Sequence, residues 1–226
     1  MRIPIIITRP IDQATRFADA LRRAIGLDAE LIIAPLQDIV PLHVVVDARG
    51  FVFTSANGVA QAARLSGQRG RAWCVGSRTA DAARDAGFDA VNANGTAEDL
   101  INLIAQSPPD FPLCHVRGEH ASGNISARLT ALGVACSDVI AYRQQALQLP
   151  DHVRQIIEGA KPCVIPLFSP RSTTILLEQA SPAPACTLIA ISRAAALGRD
   201  MVIADRPDGT AMQNATIAAY RAIADT

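Results

Sequence analysis

Short runs of Ile, Val and Ala, without alternating polar residues, recur along the whole chain. Such runs are typical of strands buried on both faces of a parallel sheet. Between most of them apolar residues recur at helical spacing, as Phe17, Leu21 and Ile25 do. This alternation of strands and helices predicts an α/β fold. The predicted strands span residues 3–8, 30–34, 51–54, 72–75, 89–92, 112–116, 137–141, 163–168, 187–191 and 201–204.

The predicted helices begin at recognisable capping residues. Ser169-Pro170 places an N-cap serine before a proline at the first helical position. Thr96 with Asp99, and Thr210 with Gln213, have the spacing of capping boxes. The predicted helices span residues 12–24, 57–65, 78–86, 97–106, 122–132, 151–159, 171–180, 193–199 and 210–223.

The two halves of the chain carry the same motifs in the same order. The segment 5–9 (Ile-Ile-Ile-Thr-Arg) corresponds to 113–117 (Leu-Cys-His-Val-Arg), and 51–55 corresponds to 165–169. The two predicted capping boxes also occupy equivalent places. Because the period is about half of the chain, the repetition indicates a duplicated domain rather than a solenoid.

Two extended segments, 35–46 and 142–150, interrupt the alternation at equivalent points of the two halves. They predict paired linkers, 36–42 and 140–147, between a discontinuous domain (1–35 with 148–226) and an inserted one (43–139). Two contiguous domains, 1–108 and 109–226, are the simpler alternative. The repetition alone does not choose between these topologies.

The composition narrows the class of protein. Half of the 226 residues are hydrophobic, 19% are charged and the net charge is zero. This excludes disorder and argues against a nucleic-acid partner, which usually requires a basic surplus. No apolar run approaches the ~20 residues of a membrane span, so we expect a soluble cytoplasmic protein with no membrane partner. The five cysteines are scattered without metal or redox spacing, and we expect reduced, mostly buried thiols.

Small polar residues and arginines follow the predicted strands, where ligands of open parallel sheets bind. Helix starts attract anions, and 20 of the 21 basic residues are arginine, whose planar fork suits carboxylates. We therefore expect a polyanionic small molecule held between two domains. N-caps require the same residue types, however, and base composition also explains the arginine bias. The candidate substrate-binding residues are Thr8, Arg9, Ser55, Asn57, Gly76, Thr79, Arg117, Gly118, Ser169, Arg171 and Ser192.

The chain lacks the motifs of nucleotide, nucleophile and metal chemistry. It has no Walker loop, no Gly-x-Gly-x-x-Gly after a strand and no Gly-x-Ser-x-Gly elbow. The four histidines have no metal spacing, so we expect no metal site and no nucleotide-dependent chemistry. Tyr142 lies in a predicted linker and is a candidate proton donor; a structural hydrogen bond is the other explanation for it.

The ordered motifs resemble the uroporphyrinogen-III synthase family over essentially the whole chain. They are Ile-Thr-Arg-Pro, Phe-Thr-Ser-Ala-Asn-Gly-Val, Val-Gly-x-x-Thr-Ala, Val-Arg-Gly, Ile-Ala-Tyr-Arg, Phe-Ser-Pro-Arg-Ser and Ile-Ala-Ile-Ser. The resemblance implies two similar parallel-sheet, flavodoxin-like domains joined by a two-stranded linker, with one domain discontinuous. Tyr142 and Thr79 match a tyrosine and a threonine of the family's cleft. Ala194 and Ala195 stand where some members have threonine, a role that could pass to Ser192.

The resemblance also implies the chemistry. A cofactor-free lyase of heme and other tetrapyrrole biosynthesis, expected as a monomer, would cyclise hydroxymethylbilane to uroporphyrinogen III. Water leaves and the last pyrrole ring is inverted. Because the activated pyrrole releases its hydroxyl readily, the main task is to hold the substrate in one geometry. The competing interpretation is a non-catalytic two-lobed binding protein for a small polyanion.

Overall fold

The computed structural model describes residues 3–26, 29–121 and 123–225. The chain divides into two compact units, which are described separately. Unit 1 comprises Met1–Asp38 and Gln145–Thr226, and unit 2 comprises Ile39–Gln144. Within the described ranges, no helix is long and apolar enough to cross a membrane.

Strands and helices alternate as the hydrophobic pattern predicts, except between residues 30 and 53, where three strands follow one another. The first half contains β1 (Pro4–Ile7), α1 (Ile11–Ile25), β2 (Glu30–Ile33), β3 (Gln37–Pro41), β4 (Gly50–Phe53), α2 (Ala56–Leu65), β5 (Arg71–Cys74), α3 (Ser77–Asp85), β6 (Asp89–Asn92) and α4 (Ala97–Gln106). The second half contains β7 (Leu113–Gly118), α5 (Ile125–Ala131), β8 (Cys136–Ala146), α6 (Asp151–Glu158), β9 (Cys163–Leu167), α7 (Pro170–Gln179), β10 (Cys186–Ala190), α8 (Arg193–Ala196), β11 (Val202–Ile203) and α9 (Gly209–Ala224).

Unit 1 is built on a five-stranded sheet with the order β11-β10-β9-β1-β2, in which every described pair is parallel. Successive residues of β1 face opposite sides of the sheet. Ile5 packs in a cluster with residues of α1 and α9, and Ile6 packs in another with residues of α6 and α7. Helices therefore cover both faces, which explains why this strand is apolar at every position.

Unit 2 has a six-stranded sheet with the order β3-β8-β7-β4-β5-β6. The strands from β8 to β6 are parallel. Phe51 of β4 packs with α2 and α3, whereas the next residue, Val52, packs with α4 and α5. The same two-sided burial accounts for the apolar runs in this unit.

The two sheets share one strand order, which gives the sequence repeat a structural form. Both follow the flavodoxin-like order 2-1-3-4-5, as β2-β1-β9-β10-β11 in unit 1 and β8-β7-β4-β5-β6 in unit 2. The two units differ in where the chain begins. In unit 2, positions 1 and 2 of this order are occupied by β7 and β8, which follow β4, β5 and β6 along the chain. The predicted α/β class with parallel, flavodoxin-like sheets is confirmed.

The extended segments predicted as linkers lie in β3 and β8, which are neighbours in one sheet. The Leu147 amide donates to the Leu36 carbonyl at 2.9 Å, and the Leu42 amide donates to the Ala141 carbonyl at 2.9 Å. The two pairs run in opposite directions along the chain, so this pairing is antiparallel.

One of the two predicted capping boxes is correct and the other is wrong. Thr96 and Asp99 form a capping box at the start of α4. At the start of α9, Asp208 is the N-cap and its carboxylate accepts from the Ala211 amide at 2.8 Å. Thr210 is therefore already inside the helix, and Gln213 donates instead to the Ala20 carbonyl at 3.2 Å.

Candidate functional site

In unit 2 the predicted site residues lie at the carboxyl ends of the parallel strands. Ser55 follows β4 and caps α2, and its Oγ accepts from the Gly58 amide at 3.2 Å. Gly118 ends β7, and Tyr142 lies opposite it on β8. Because β7 lies between β4 and β8 in the sheet, Ser55 and Tyr142 come from strands on either side of Gly118.

Three of the predicted residues form one contact. The Tyr142 hydroxyl lies 3.0 Å from Ser55 Oγ. A Cβ on Gly118 would lie 2.5 Å from Cε2 of the Tyr142 ring, so the ring crosses the intervening strand at a position without a side chain. The absent side chain of Gly118 is therefore what lets the hydroxyl of β8 reach the end of β4.

The surroundings of Tyr142 favour its protonated form. The residue is only 4% exposed, and burial raises the pKa of its phenol. Hydrogen bonds to the Ser55 side chain and the Gly118 backbone lower that pKa and oppose part of the effect. The phenol thus keeps its proton at neutral pH, while its oxygen has partners that stabilise a phenolate.

The start of α3 is the second polar edge of unit 2. Gly76 is its N-cap in an extended conformation, and a Cβ there would meet no atom within 4 Å. Thr79 is buried in the first turn, and its amide donates to the Gly76 carbonyl at 3.1 Å. Asn57 lies in the first turn of α2 and is half-buried. The open space at Gly76 leaves this helix start accessible to an anion.

Unit 1 places its candidates at the ends of β1, β9 and β10. Thr8 is buried after β1, and the guanidinium carbon of Arg9 lies 4.0 Å from the centre of the Phe168 ring. This cation–π contact places Arg9 beside the end of β9. The other candidates lie at helix starts: Ser169 caps α7 with Ser172, Arg171 lies half-buried in the first turn of α7, and Ser192 caps α8.

Arg117 lies at the end of β7, as predicted, and its side chain contacts other residues of unit 2. Its Nε lies 3.1 Å from Oδ1 of Asp138, and its Nη1 donates to the Gly118 carbonyl at 3.0 Å. These contacts tie the end of β7 to β8. Arg117 therefore supports the strand that carries Gly118, and the prediction that it binds substrate stays a prediction.

A polar network around a buried histidine, behind the strand ends, was missed by the sequence analysis. His115 is 2% exposed, and its Nδ1 lies 2.9 Å from Oδ1 of Asp138, its register partner on β8. Its Nε2 lies 3.4 Å from Thr54 Oγ1. His115 and Asp138 are 23 residues apart along the chain, and only the strand register brings them together, so no local signal pointed to the pair.

The charge state of this network follows from its geometry. Burial lowers the pKa of His115 and outweighs the opposite effect of Asp138, so the imidazole is neutral at neutral pH. Burial by itself would raise the pKa of Asp138, but hydrogen bonds from Arg117 and Ser126 bring it below its usual value. A neutral His115 then donates through Nδ1 to the ionised Asp138 and accepts through Nε2.

No group of three or more His, Cys, Asp or Glu side chains in the described part of the chain could hold a metal ion. The candidate site consists instead of hydroxyl groups, helix-start amides and guanidinium groups. Such an arrangement can bind carboxylates and move a proton between hydroxyl groups.

Comparison with known proteins gives this arrangement a context. The family model described as uroporphyrinogen-III synthase HemD matches residues 16–199. The uroporphyrinogen-III synthetase of Helicobacter pylori is 14% identical, with a TM-score of 0.68 over 97% of this chain and 100% of that chain. A mutant uroporphyrinogen III synthase of Thermus thermophilus is 15% identical, with a TM-score of 0.59 over 99% and 100% of the two chains. No curated protein matches the chain.

The two kinds of similarity support different conclusions. At 14% and 15% identity, the likeness to solved structures establishes the fold. The family model covers most of the sequence, including the strand ends that carry Ser55, Gly118 and Tyr142. The chain therefore belongs to the uroporphyrinogen-III synthase family, the cyclising lyases of tetrapyrrole biosynthesis.

Proposed function

We propose that this chain cyclises hydroxymethylbilane to uroporphyrinogen III, with loss of water and inversion of the last pyrrole ring, and that Tyr142 supplies the proton. Family membership supports the reaction. The observation that supports the residue is the 3.0 Å contact between the Tyr142 hydroxyl and Ser55 Oγ across Gly118. The substrate hydroxyl leaves from an activated pyrrole, so a weak acid such as a tyrosine suffices.

The hydrogen-bonding capacity of Ser55 suggests how the proton reaches the substrate. A serine hydroxyl has one proton and two lone pairs. One lone pair accepts from the Gly58 amide. Either oxygen of the Ser55–Tyr142 contact can donate, and we assign the proton before reaction to Tyr142, so that the other lone pair of Ser55 accepts it. The proton of Ser55 is then directed away from both partners. Because Ser55 is partly exposed and Tyr142 is buried, Ser55 is the hydroxyl that a ligand would reach first.

The resulting proton relay is balanced over one turnover. Ser55 donates its proton to the departing hydroxyl, which leaves as water, and takes the proton of Tyr142. Ser55 then donates to the phenolate, which the Gly118 backbone also stabilises. Ring closure forms a carbon–carbon bond and releases a carbon-bound proton, which returns to Tyr142. General acid help is worth ~10²–10⁴ in rate, and we expect the lower end because the leaving group is already activated.

Product analysis of variants tests the proposal. Tyr142→Phe should slow turnover about 100-fold with little change in melting temperature, and Ser55→Ala should slow it to a similar extent. If both act in one relay, the double variant should be no slower than the slower single variant. Ser55→Thr keeps the hydroxyl and should recover most of the activity.

Ser55→Ala also removes an N-cap, which costs about 1 kcal/mol of stability. Thr96→Ala is the matched control, because it removes the N-cap of α4 in the same unit without touching Tyr142. Freshly prepared hydroxymethylbilane is mixed with each variant and the product isomers are separated. Turnover at the wild-type rate by Tyr142→Phe would mean that the tyrosine is structural. Tight binding of hydroxymethylbilane without any turnover would favour the polyanion-binding alternative.

The carboxylates of the substrate are proposed to bind at the strand ends of both units. The helix starts at Gly76 and Ser169 offer amide groups, and Arg9 and Arg171 add positive charge. Arg9→Ala should weaken product binding by about 1–3 kcal/mol, the value of a charge-assisted hydrogen bond. Titration calorimetry with uroporphyrinogen III measures this difference. Arg23→Ala is the control, because Arg23 is exposed. If Arg9→Ala and Arg23→Ala bind the product equally well, Arg9 does not bind substrate, and the high arginine content reflects base composition only.

The organisation of the chain is part of the proposal. The two units support the discontinuous domains expected at 1–35 with 148–226 and at 43–139. They change over between residues 38 and 39 and between 144 and 145, inside the segments proposed as linkers. We further propose a monomeric enzyme of the cytoplasm that acts on a small molecule. Light scattering coupled to gel filtration tests the oligomeric state.

A further inference from the structure

Unit 1 contains two cysteines in direct contact at the amino ends of two neighbouring strands. Cys163 begins β9 and Cys186 begins β10, and the two residues are register partners in the parallel pair. Their sulfur atoms are 2.9 Å apart, and both thiols are free. Neighbouring strands are ~4.8 Å apart, which lies within the ~4.4–6.8 Å range of Cα separations that disulfides span.

A second pair of cysteines on neighbouring parallel strands makes the geometry of the first one informative. Cys114 lies on β7 and Cys136 on β8, but Cys136 is the register partner of Leu113. Being one residue out of register, the two side chains point to opposite faces of the sheet. Accordingly, Cys114 packs in the cluster of Phe51, and Cys136 packs in the cluster of Val52. This pair cannot be bridged without moving the backbone.

We propose that Cys163 and Cys186 are a redox modification site that forms a reversible disulfide when a hydroperoxide is present. The hydroperoxide transfers one oxygen atom to Cys163, which becomes a sulfenic acid, and leaves as an alcohol, or as water when it is hydrogen peroxide. The sulfur of Cys186 then attacks Cys163, forms the S–S bond and displaces the hydroxyl group, which leaves as water with the Cys186 proton. In total, two thiols and one peroxide give one disulfide, and a dithiol reductant reverses the change.

The surroundings of the pair assign these two roles. Cys186 is partly exposed because the edge strand β11 pairs only with Ile189 and Ala190 and does not extend beside it. Cys163 is fully buried, so a small oxidant reaches the pair from the side of the partly exposed Cys186. The hydrogen bond between the sulfurs lowers the pKa of Cys163 and raises that of Cys186, so Cys163 is the thiolate that attacks the peroxide and Cys186 is the thiol that closes the bridge.

The remaining cysteines serve as internal controls. Burial raises the pKa of Cys74 and Cys114 to about 11 and that of Cys136 to about 12, so all three stay protonated at neutral pH.

The bridge between Cys163 and Cys186 would close a loop around α7 at the end of the sheet opposite to Ser169. It is independent of the proposed reaction, because it joins the amino ends of the strands and the candidate site lies at their carboxyl ends.

Peptide mapping of the intact protein tests the site. The protein is treated with hydrogen peroxide, alkylated, digested with trypsin without reduction and analysed by mass spectrometry. Trypsin separates the two cysteines, since it cleaves after Arg154, Arg171 and Arg193. We expect the peptide 155–171 joined to 172–193, and loss of this species after dithiothreitol. The peptides with Cys114 and Cys136 should stay alkylated and unlinked.

Thermal unfolding supplies a second, independent measurement. The oxidised wild-type protein should melt about 5 °C or more above the reduced one, because the bridge restricts the unfolded chain. Cys186→Ala should abolish both the linked peptide and the shift, whereas Cys114→Ala should change neither. Alkylation of both Cys163 and Cys186 after peroxide treatment would overturn the proposal. A linkage through Cys114 or Cys136, or between two molecules, would overturn it as well.

Discussion

Gly118→Ala tests how the Tyr142 hydroxyl reaches Ser55. The φ angle of Gly118 does not lie in the left-handed region, so alanine meets no backbone obstacle and only the space above the residue matters. The added Cβ would lie 2.5 Å from Cε2 of Tyr142, about 0.9 Å short of the 3.4 Å at which ordinary contact begins. A ring displaced by this amount carries its hydroxyl with it, to at most about 3.9 Å from Ser55 Oγ, and so distorts the 3.0 Å hydrogen bond.

Two quantities should change together in this variant. Overpacking costs about 1–3 kcal/mol, which for a chain of this size lowers the melting temperature by roughly 2–12 °C. Turnover should fall, by no more than in Tyr142→Phe, because Gly118→Ala disturbs the same hydrogen bond but keeps the phenol. Differential scanning fluorimetry and the product-isomer assay measure the two effects.

Gly67→Ala is the control for Gly118→Ala, because a Cβ at Gly67 meets no atom within 4 Å. Gly67 lies in the same unit and outside the strand ends, so its replacement should change neither stability nor turnover. Wild-type turnover by Gly118→Ala would refute the reasoning, since it would mean that the Tyr142 position is not needed. Loss of stability with full activity would separate packing from catalysis.

Three further predictions concern polar side chains with internal hydrogen-bond partners. Arg117→Ala leaves Asp138 without its guanidinium partner and should cost about 1–2 kcal/mol in urea unfolding; no change would mean that the ion pair is dispensable. The pKa of His115 is lowered below its ordinary value of 6.5, so the unfolded chain takes up the proton first and stability should fall as the pH drops below 6.5. His115→Asn should flatten this slope, which for one proton is at most about 1.4 kcal/mol per pH unit, and an unchanged slope would contradict the assignment. Thr173 is fully buried and donates to the Ala195 carbonyl at 2.7 Å, so Thr173→Val should lower stability by about 1–3 kcal/mol, whereas an unchanged melting temperature would mean that water replaces the bond.

The fold class was predictable because its signals are local. Strands covered by helices on both faces must be apolar at every position, and β1 and β4 are fully buried along their lengths. Helices signal themselves through their 3.6-residue period and their caps, as Ser169 and Thr96 do. The duplication was predictable for the same reason, since two copies of one pattern require no knowledge of which residues meet.

Local signals fail where two residues compete for one role. Asp208 and Thr210 are both good N-caps, and their neighbours along the chain do not distinguish them. The structure selects Asp208, and Gln213, which was expected to complete a capping box, contacts α1 instead. The first turn of a helix is decided by what the helix packs against as well as by its own sequence.

In the candidate site, the sequence identified the individual residues, but it did not show which of them are in contact. Ser55, Gly118 and Tyr142 were each singled out for their position or family match. Their contact joins residues 87 positions apart along the chain and depends on the order β8-β7-β4. His115 and Asp138 had no signal at all, because their pairing follows from the register of two strands.

The sequence by itself determined the alternation of elements, the duplication and the residue types that end each strand. These features are set by periodic burial and by hydrogen bonds within a few residues, which the order of amino acids encodes directly. Only the tertiary structure decided which strand ends are neighbours, and hence that Tyr142 reaches Ser55 over Gly118 and that Cys163 meets Cys186. Strand order and register arise from the packing of the whole sheet, so they are properties of the folded chain and not of any segment.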